Sequence, residues 1–164
     1  MDPTIITAVN DISMSQSQPT VSTRKQCTRL MDYVATYPDA YIRYNASNMI
    51  LSVDSDASYL VLPKAHSHIA GFFQLKDGKD SHTRNSPQLV ECKTIKHVVS
   101  SVTEAEISAL FHNTQTSIPI RRLLIALGHP QPPTPIKIDN STPLGYIYNN
   151  IHKKRSKSWD MRFH

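Results

Sequence analysis

The alternation through Met49–Tyr59 constrains this chain more than any other stretch. Read as a strand, it turns Met49, Leu51 and Val53 to one face and Ser52, Asp54 and Asp56 to the other. Ile50 and the run Leu60-Val61-Leu62 flank it, so two carboxylates share one face of a segment otherwise suited to a sheet interior. A charge near a sheet centre is costly unless it is paired or holds a metal. The alternative is that the strand ends here and both aspartates are solvated.

The 164 residues suffice for one domain with a real core and are too few for two comfortable ones. Charged residues at 19% and hydrophobic ones at 39% describe a globular, slightly polar chain rather than a disordered one. A net charge of +5 permits a polyanionic partner. The positive charge is uneven, with a run of Lys153, Lys154, Arg155 and Lys157 and a smaller pair, Arg121-Arg122. Cys27 and Cys92 lack metal or redox spacing and read as buried small apolar groups in a reducing compartment. No apolar run approaches the roughly 18 residues of a membrane span, and no signal-peptide core is present, so a soluble intracellular chain without a membrane partner is expected.

Residues 1–21 carry little pattern beyond Ile5-Ile6 and read as a poorly ordered lead-in. From Ser22 a helix is predicted, with Cys27, Leu30, Met31 and Val34 as its packing stripe and Pro38 as its stop. Strands follow at Tyr41–Tyr44, Met49–Tyr59, Ile69–Leu75 and Leu89–Val99, with turns at 45–48 and at Lys76-Asp77-Gly78-Lys79. Short connections favour antiparallel neighbours. A helix should open at Thr103, break at Pro119, resume over Ile120–Leu127 and end at Gly128. The Pro-rich linker 129–135 leads to a short strand, Ile136–Asp139, and Thr142-Pro143 then suit the start of another helix. This order implies an α/β (mixed α+β) fold, a mixed sheet flanked by helices. Four glycines leave no glycine-rich phosphate loop.

Three carboxylates recur in telling positions. Asp56 lies on the first long strand, Glu106 in the first turn of the next helix, and Asp139 at the end of the following strand. These places can converge at one edge of a sheet, where like charges repel unless divalent cations neutralise them. Hard oxygen ligands suit Mg²⁺ or Mn²⁺, and a pair of such ions roughly 3.5–4 Å apart can drive phosphodiester hydrolysis. Ordinary roles stand beside these. Thr103-Glu104-Ala105-Glu106 fits a capping box, Asp139-Asn140-Ser141 fits a turn, and Lys153–Lys157 fits a solvated face. The scattered histidines lack metal-ligand spacing and read as surface or packing residues.

Four stretches occur in a characteristic order: 55–59 (SDASY), 101–106 (SVTEAE), 138–141 (IDNS) and 154–164 (KRSKSWDMRFH). Together they resemble the ribonuclease H region at the end of the Ty1/copia-type retrotransposon polyprotein. Gln18-Pro19-Thr20 and Leu30-Met31-Asp32-Tyr33 resemble its connection to the polymerase. The resemblance implies a ribonuclease H-like fold, with three antiparallel strands followed by parallel ones. It implies an endonuclease that uses two Mg²⁺ ions (or Mn²⁺) to hydrolyse the RNA strand of an RNA–DNA hybrid during reverse transcription.

Carried over, Asp56, Glu106 and Asp139 are the catalytic, metal-holding carboxylates. By their charge, not by the resemblance, Lys153, Lys154, Arg155 and Lys157 are the candidate nucleic-acid contacts. Asp160 opens a helix before a fifth strand, with the fourth carboxylate beyond His164; a catalytic role for Asp160 is the alternative. The division implied is a lead-in over 1–21, a connection helix and lead strand over 22–48, and a ribonuclease H-like domain over 49–164, incomplete at its C-terminus. Family partners are the polymerase and integrase parts of the same polyprotein, in a cytoplasmic virus-like particle, with no small-molecule cofactor. The alternative function is an inactive remnant that binds nucleic acid or has no biochemical function.

Overall fold

In the computed structural model the alternating segment forms β1, Ile50–Leu62, a strand of 13 residues. The structure describes residues 3–62, 66–78, 85–140, 144–145 and 147–148. β2, His66–Lys76, returns antiparallel beside β1, from Ile50 opposite Lys76 to Ser58 opposite His68. A bulge between Ser58 and Leu62 then shifts the pairing, and Leu60 within it takes a φ of 54°. β3, Pro87–Thr94, adds a second antiparallel neighbour to β2. After the helix α3, Val102–Ala126, the chain comes back on the far side of β1 as β4, Ile136–Lys137, parallel to β1. The sheet order is β3-β2-β1-β4, so the strand with the aspartates is interior. The architecture is mixed α+β, as the order of elements implies.

The pleat sorts β1 as its pattern predicts. Leu51 and Val53 join Phe73 and Leu75 of β2 and Leu124 of α3 in one buried cluster. Farther along, Ile69, Ile95, Val99, Ala105 and Ala109 form a second cluster, with Ala57 and Tyr59 packed against it. Burying each large apolar side chain contributes about 1.5–3 kcal/mol. The opposite face is mixed: Phe72 and Val90 stand beside Asp54, and Gln74 beside Ser52. The Gln74 side-chain amide, fully buried, donates to Asp54 Oδ2 at 2.9 Å, and its Oε1 accepts from the Asn85 backbone at 3.1 Å.

α3 runs 25 residues without a break. Pro119, predicted to end or break it, is an exposed interior residue instead. Proline costs a helix its i−4 hydrogen bond. Here the helix is anchored in the sheet on both sides of it, by Asn113 upstream and Leu124 downstream, and packing outweighs the local penalty. The helix starts at Val102 rather than Thr103, because Ser101 is the N-cap and its hydroxyl accepts from the Glu104 N–H at 3.1 Å. Its end is a Schellman motif on Gly128, with φ 89°: Gly128 N–H donates to Ile125 O and His129 N–H to Leu124 O, both at 3.0 Å.

The Pro-rich linker is tied to both layers. Gln131 stands in for a strand residue, its Oε1 accepting from Leu51 N–H at 3.0 Å and its Nε2 donating to Met49 O at 2.8 Å. The Arg121 guanidinium donates to the carbonyls of Gln131 and Pro132 and, at 2.9 Å, to Thr134 Oγ1. One member of the Arg121-Arg122 pair is thus a structural clamp.

The chain divides into two units, Met1–Tyr44 and Asn45–His164. In the first, residues 3–14 are not a disordered lead-in. Pro3–Ile5 form a turn of 3₁₀ helix and Ile6–Met14 form α1. α2, Val21–Thr36, follows, closed at its start by a reciprocal capping box between Thr20 and Thr23. The predicted packing stripe on α2 is largely open, with Cys27, Met31 and Val34 exposed. Only Thr23 is buried along α1 and α2. Other boundaries shift. Tyr41–Tyr44 form no strand, β3 stops at Thr94, β4 stops at Lys137, and Cys92 is half-buried rather than buried. Leu144, Gly145, Ile147 and Tyr148 are helical, whereas Thr142, Pro143, the basic run Lys153–Lys157 and Asp160 lie outside the described residues.

Candidate functional site

The parallel pairing of β4 with β1 sets the geometry. Val53 is level with Ile136 and Asp54 with Lys137. Beyond Lys137 the pairing stops, two residues short of Asp139. Asp139 itself sits in a bend just past the strand and is exposed. Asp56 is exposed too, and its Oδ1 accepts from the Ala57 N–H at 2.7 Å. Asp54 differs from it. It is half-buried and engaged by Gln74, which makes it part of the sheet's mixed face.

The start of α3 brings the third carboxylate to this end of the sheet. Ala105 and Ala109 pack in the cluster that takes in Ala57 and Tyr59, one and three residues past Asp56. The Ser101 hydroxyl caps α3, and the glutamate that reaches back past the helix start is Glu104. Its Oε2 accepts from the Ser100 N–H at 2.6 Å and from the Ser100 hydroxyl at 2.7 Å, deep in the fold. Glu106 is therefore free of the cap that Thr103 was expected to share with it. It is 9% exposed, and the Asn140 amide donates to its Oε1 at 3.0 Å. Its Oε2 is buried and meets no hydrogen-bond partner. An unmet buried polar atom costs about 1–3 kcal/mol, and more when the group is charged.

Of the dipeptide Asp139-Asn140, the first residue follows β4, which pairs with the strand of Asp56, and the second donates to Glu106. The side chains do not close on a single point. Among the described residues no group of three or more His, Cys, Asp or Glu side chains is arranged to hold a metal ion. The donor set nevertheless has the chemistry for a hard cation: two exposed carboxylates and a third with one oxygen unmet.

Sequence reasoning missed Asn140, whose Asp-Asn-Ser context reads equally as a turn. It also missed Asn113, fully buried in α3, whose amide donates to Ser55 Oγ at 2.8 Å and to Ala70 O at 2.9 Å. Ala70 is the cross-strand partner of Asp56, so Asn113 clamps β1 to β2 beside it.

A separate cluster lies between β3 and α3. Glu91 accepts from Lys93 at 2.7 Å and from His112 at 2.9 Å. Burial pushes the Glu91 carboxyl up, but the hydrogen bonds and charges of Lys93 and His112 outweigh it and hold the group below its ordinary 4.5. A depressed carboxylate adds stability that is present above its unfolded value and is lost as pH falls through the lower folded one. Glu91→Gln is therefore expected to melt about 2–4 °C below the parent at pH 7, for about 1 kcal/mol. The gap should close as pH falls through the lowered folded value. Thermal melts of both proteins across pH 3–7 check this, and a gap independent of pH would refute it.

No helix among the described residues is long and apolar enough to cross a membrane. No family model matches this chain, and neither the curated proteins nor the solved structures give a match.

Proposed function

We propose that this chain is a retrotransposon-derived ribonuclease H-type domain of the Ty1/copia kind, acting on the RNA strand of RNA–DNA hybrids by metal-dependent phosphodiester hydrolysis. The observation that carries the reading is the hydrogen bond to Glu106 of α3 from Asn140, just past β4, a strand that runs parallel to that of Asp56. The topology supports it as well: three antiparallel strands, a helix, then a strand parallel to the first, with the order β3-β2-β1-β4. This is the arrangement the resemblance implies for the ribonuclease H-like fold.

Asp56, Glu106 and Asp139 would hold the Mg²⁺ or Mn²⁺ ions. Bound there, the ions would neutralise mutually repelling carboxylates and stabilise negative charge building on the phosphodiester oxygens. The chain's own contribution is placement. β4 pairs parallel to the strand of Asp56 shortly before Asp139, the second cluster seats the start of α3, and Ser100 engages Glu104 rather than Glu106. Burial of Glu106 keeps water from competing for its unmet oxygen. The basic run 153–157 remains the proposed contact for the hybrid's phosphates, through charge and counterion release. In the polyprotein, the polymerase and integrase parts remain the proposed neighbours.

The test is cleavage of an end-labelled RNA annealed to DNA by the purified chain, with and without Mg²⁺ or Mn²⁺. Metal-dependent cuts in the RNA strand of the hybrid, absent with single-stranded RNA, are expected. No cleavage by a chain that melts cooperatively would overturn the nuclease reading. Hybrid binding that falls steeply with salt would then favour the binding remnant.

A further inference from the structure

The unit Met1–Tyr44 has two helices and almost no core of its own. Nine residues of α1 and 16 of α2 bury only Thr23. Helices shorter than about 12–15 residues are marginal in water, and units below about 40 residues usually need disulfides, a metal or oligomerisation. The local signals for helix are nevertheless strong, since α2 opens with a reciprocal capping box. A groove of about 460 Å³ runs between the two helices, lined by Val9 and Ile12 of α1 and by Thr23, Cys27, Leu30 and Met31 of α2. Met31 is 66% exposed, and Val34, three residues on, is 43% exposed.

We infer that a second copy of the chain docks on this groove, the two helix pairs closing into a four-helix bundle about a two-fold axis. Charge selects the occupant. No charged side chain lines the groove, so neither an acidic nor a basic partner finds an opposite charge there. Met1–Tyr44 holds four aspartates against four lysines and arginines, so two copies of this unit meet without net repulsion. The whole net charge of +5 lies in residues 45–164. Size agrees as well. A specific interface takes about 20–30 residues from each side, and α1 and α2 supply nine and 16. A two-fold interface sets one patch against itself, a condition that an uncharged apolar lining meets. In the bundle Cys27, Leu30, Met31 and Val34, at helical spacing, gain the buried stripe that a single copy lacks. The inference does not depend on the nuclease reading, whose proposed residues all lie outside this unit.

The experiment is sedimentation equilibrium of the full chain from about 1 to 200 μM, a span that separates weak from tight association. A monomer–dimer equilibrium is expected. Met31→Glu combined with Val34→Glu puts charge on the groove at two exposed positions, and glutamate forms helix at least as well as the residues it replaces. This variant should dimerise at least about 30-fold more weakly, with its helix content unchanged. Lys25→Glu, exposed on the same helix and outside the groove lining, should dimerise as the parent does. Alkylation of Cys27, followed on its own peptide by mass spectrometry, should slow about tenfold as the parent dimer fills, because thiol reactivity requires access.

A parent that stays monomeric across the range would overturn the inference and leave the groove to a different protein. A dimer that survives Met31→Glu with Val34→Glu, or that Lys25→Glu weakens equally, would overturn it too by placing the contact elsewhere. Should the double variant lose its helices, the parent alone decides. A Cys27 alkylation rate that does not change while the dimer forms would overturn the inference.

Discussion

Asp56→Asn is expected to abolish metal-dependent hybrid cleavage, by more than about 100-fold, while leaving the fold unchanged. Removal of an outer partner of a metal ligand already costs about 10–100-fold. Loss of a ligand's charge should exceed that. The fold should be indifferent because the Asp56 side chain is exposed and its hydrogen bond goes to the adjacent Ala57 N–H, an acceptor role that an asparagine oxygen can fill. Asp54→Ala is the matched control two residues away. That carboxylate accepts from the buried Gln74 amide, so its loss should lower stability and leave cleavage by the folded fraction near the parent's. Cleavage rates and melting curves of the two variants separate the roles. Equal activity in Asp56→Asn and the parent would remove Asp56 from the site.

The largest expected effect on stability comes from Gly71→Ala. The constraint is space: a Cβ at Gly71 would lie 2.4 Å from Asn113 Oδ1 and 2.9 Å from Phe73 Cε2. Asn113 and Phe73 are both fully buried, so neither has solvent to move into. Displacing Asn113 would break its hydrogen bonds to Ser55 and Ala70, the clamp beside Asp56. Overpacking costs about 1–3 kcal/mol and a broken buried hydrogen bond about 1–3 more, so a loss of about 3 kcal/mol is expected. Asn113→Ala alone should cost about 1–3 kcal/mol by the same reasoning. In that background Gly71→Ala should cost clearly less, because the closest clash is gone. Denaturant melts of the four proteins form the double-mutant cycle. Equal costs of Gly71→Ala in both backgrounds would show that the Asn113 contact is not what excludes a side chain.

What was readable in advance follows from periodicity and end signals. Alternation at Leu51, Val53, Asp54 and Asp56 suffices to assign faces, because a strand repeats every two residues whatever surrounds it. The glycine at 128 announces its helix end, because few other residues accept a φ of 89°. Pro119 misleads for the opposite reason. Its penalty is local and knowable, while the packing of Asn113 and Leu124 that outweighs it exists only once the sheet has formed. The α2 stripe misleads in the same direction. Apolar spacing states that a face can be buried, yet Met31 and Val34 remain exposed.

The site divides along the same line. Three carboxylates in suggestive places are a property of the sequence, and so is the mixed α+β order of elements. Whether Ser101 or Thr103 caps α3 is not, because only the seating of the helix on the sheet selects Val102 as its first residue. Ser100 then engages Glu104, and Asn140 engages Glu106. The pairing of β4 with β1 likewise joins residues more than 80 apart, which periodicity cannot encode. Sequence alone determined which residues carry charge and which faces are apolar, since these follow from side-chain chemistry and local repeat. Tertiary structure alone decided which residue caps α3 and which partner each glutamate takes, since those depend on long-range packing.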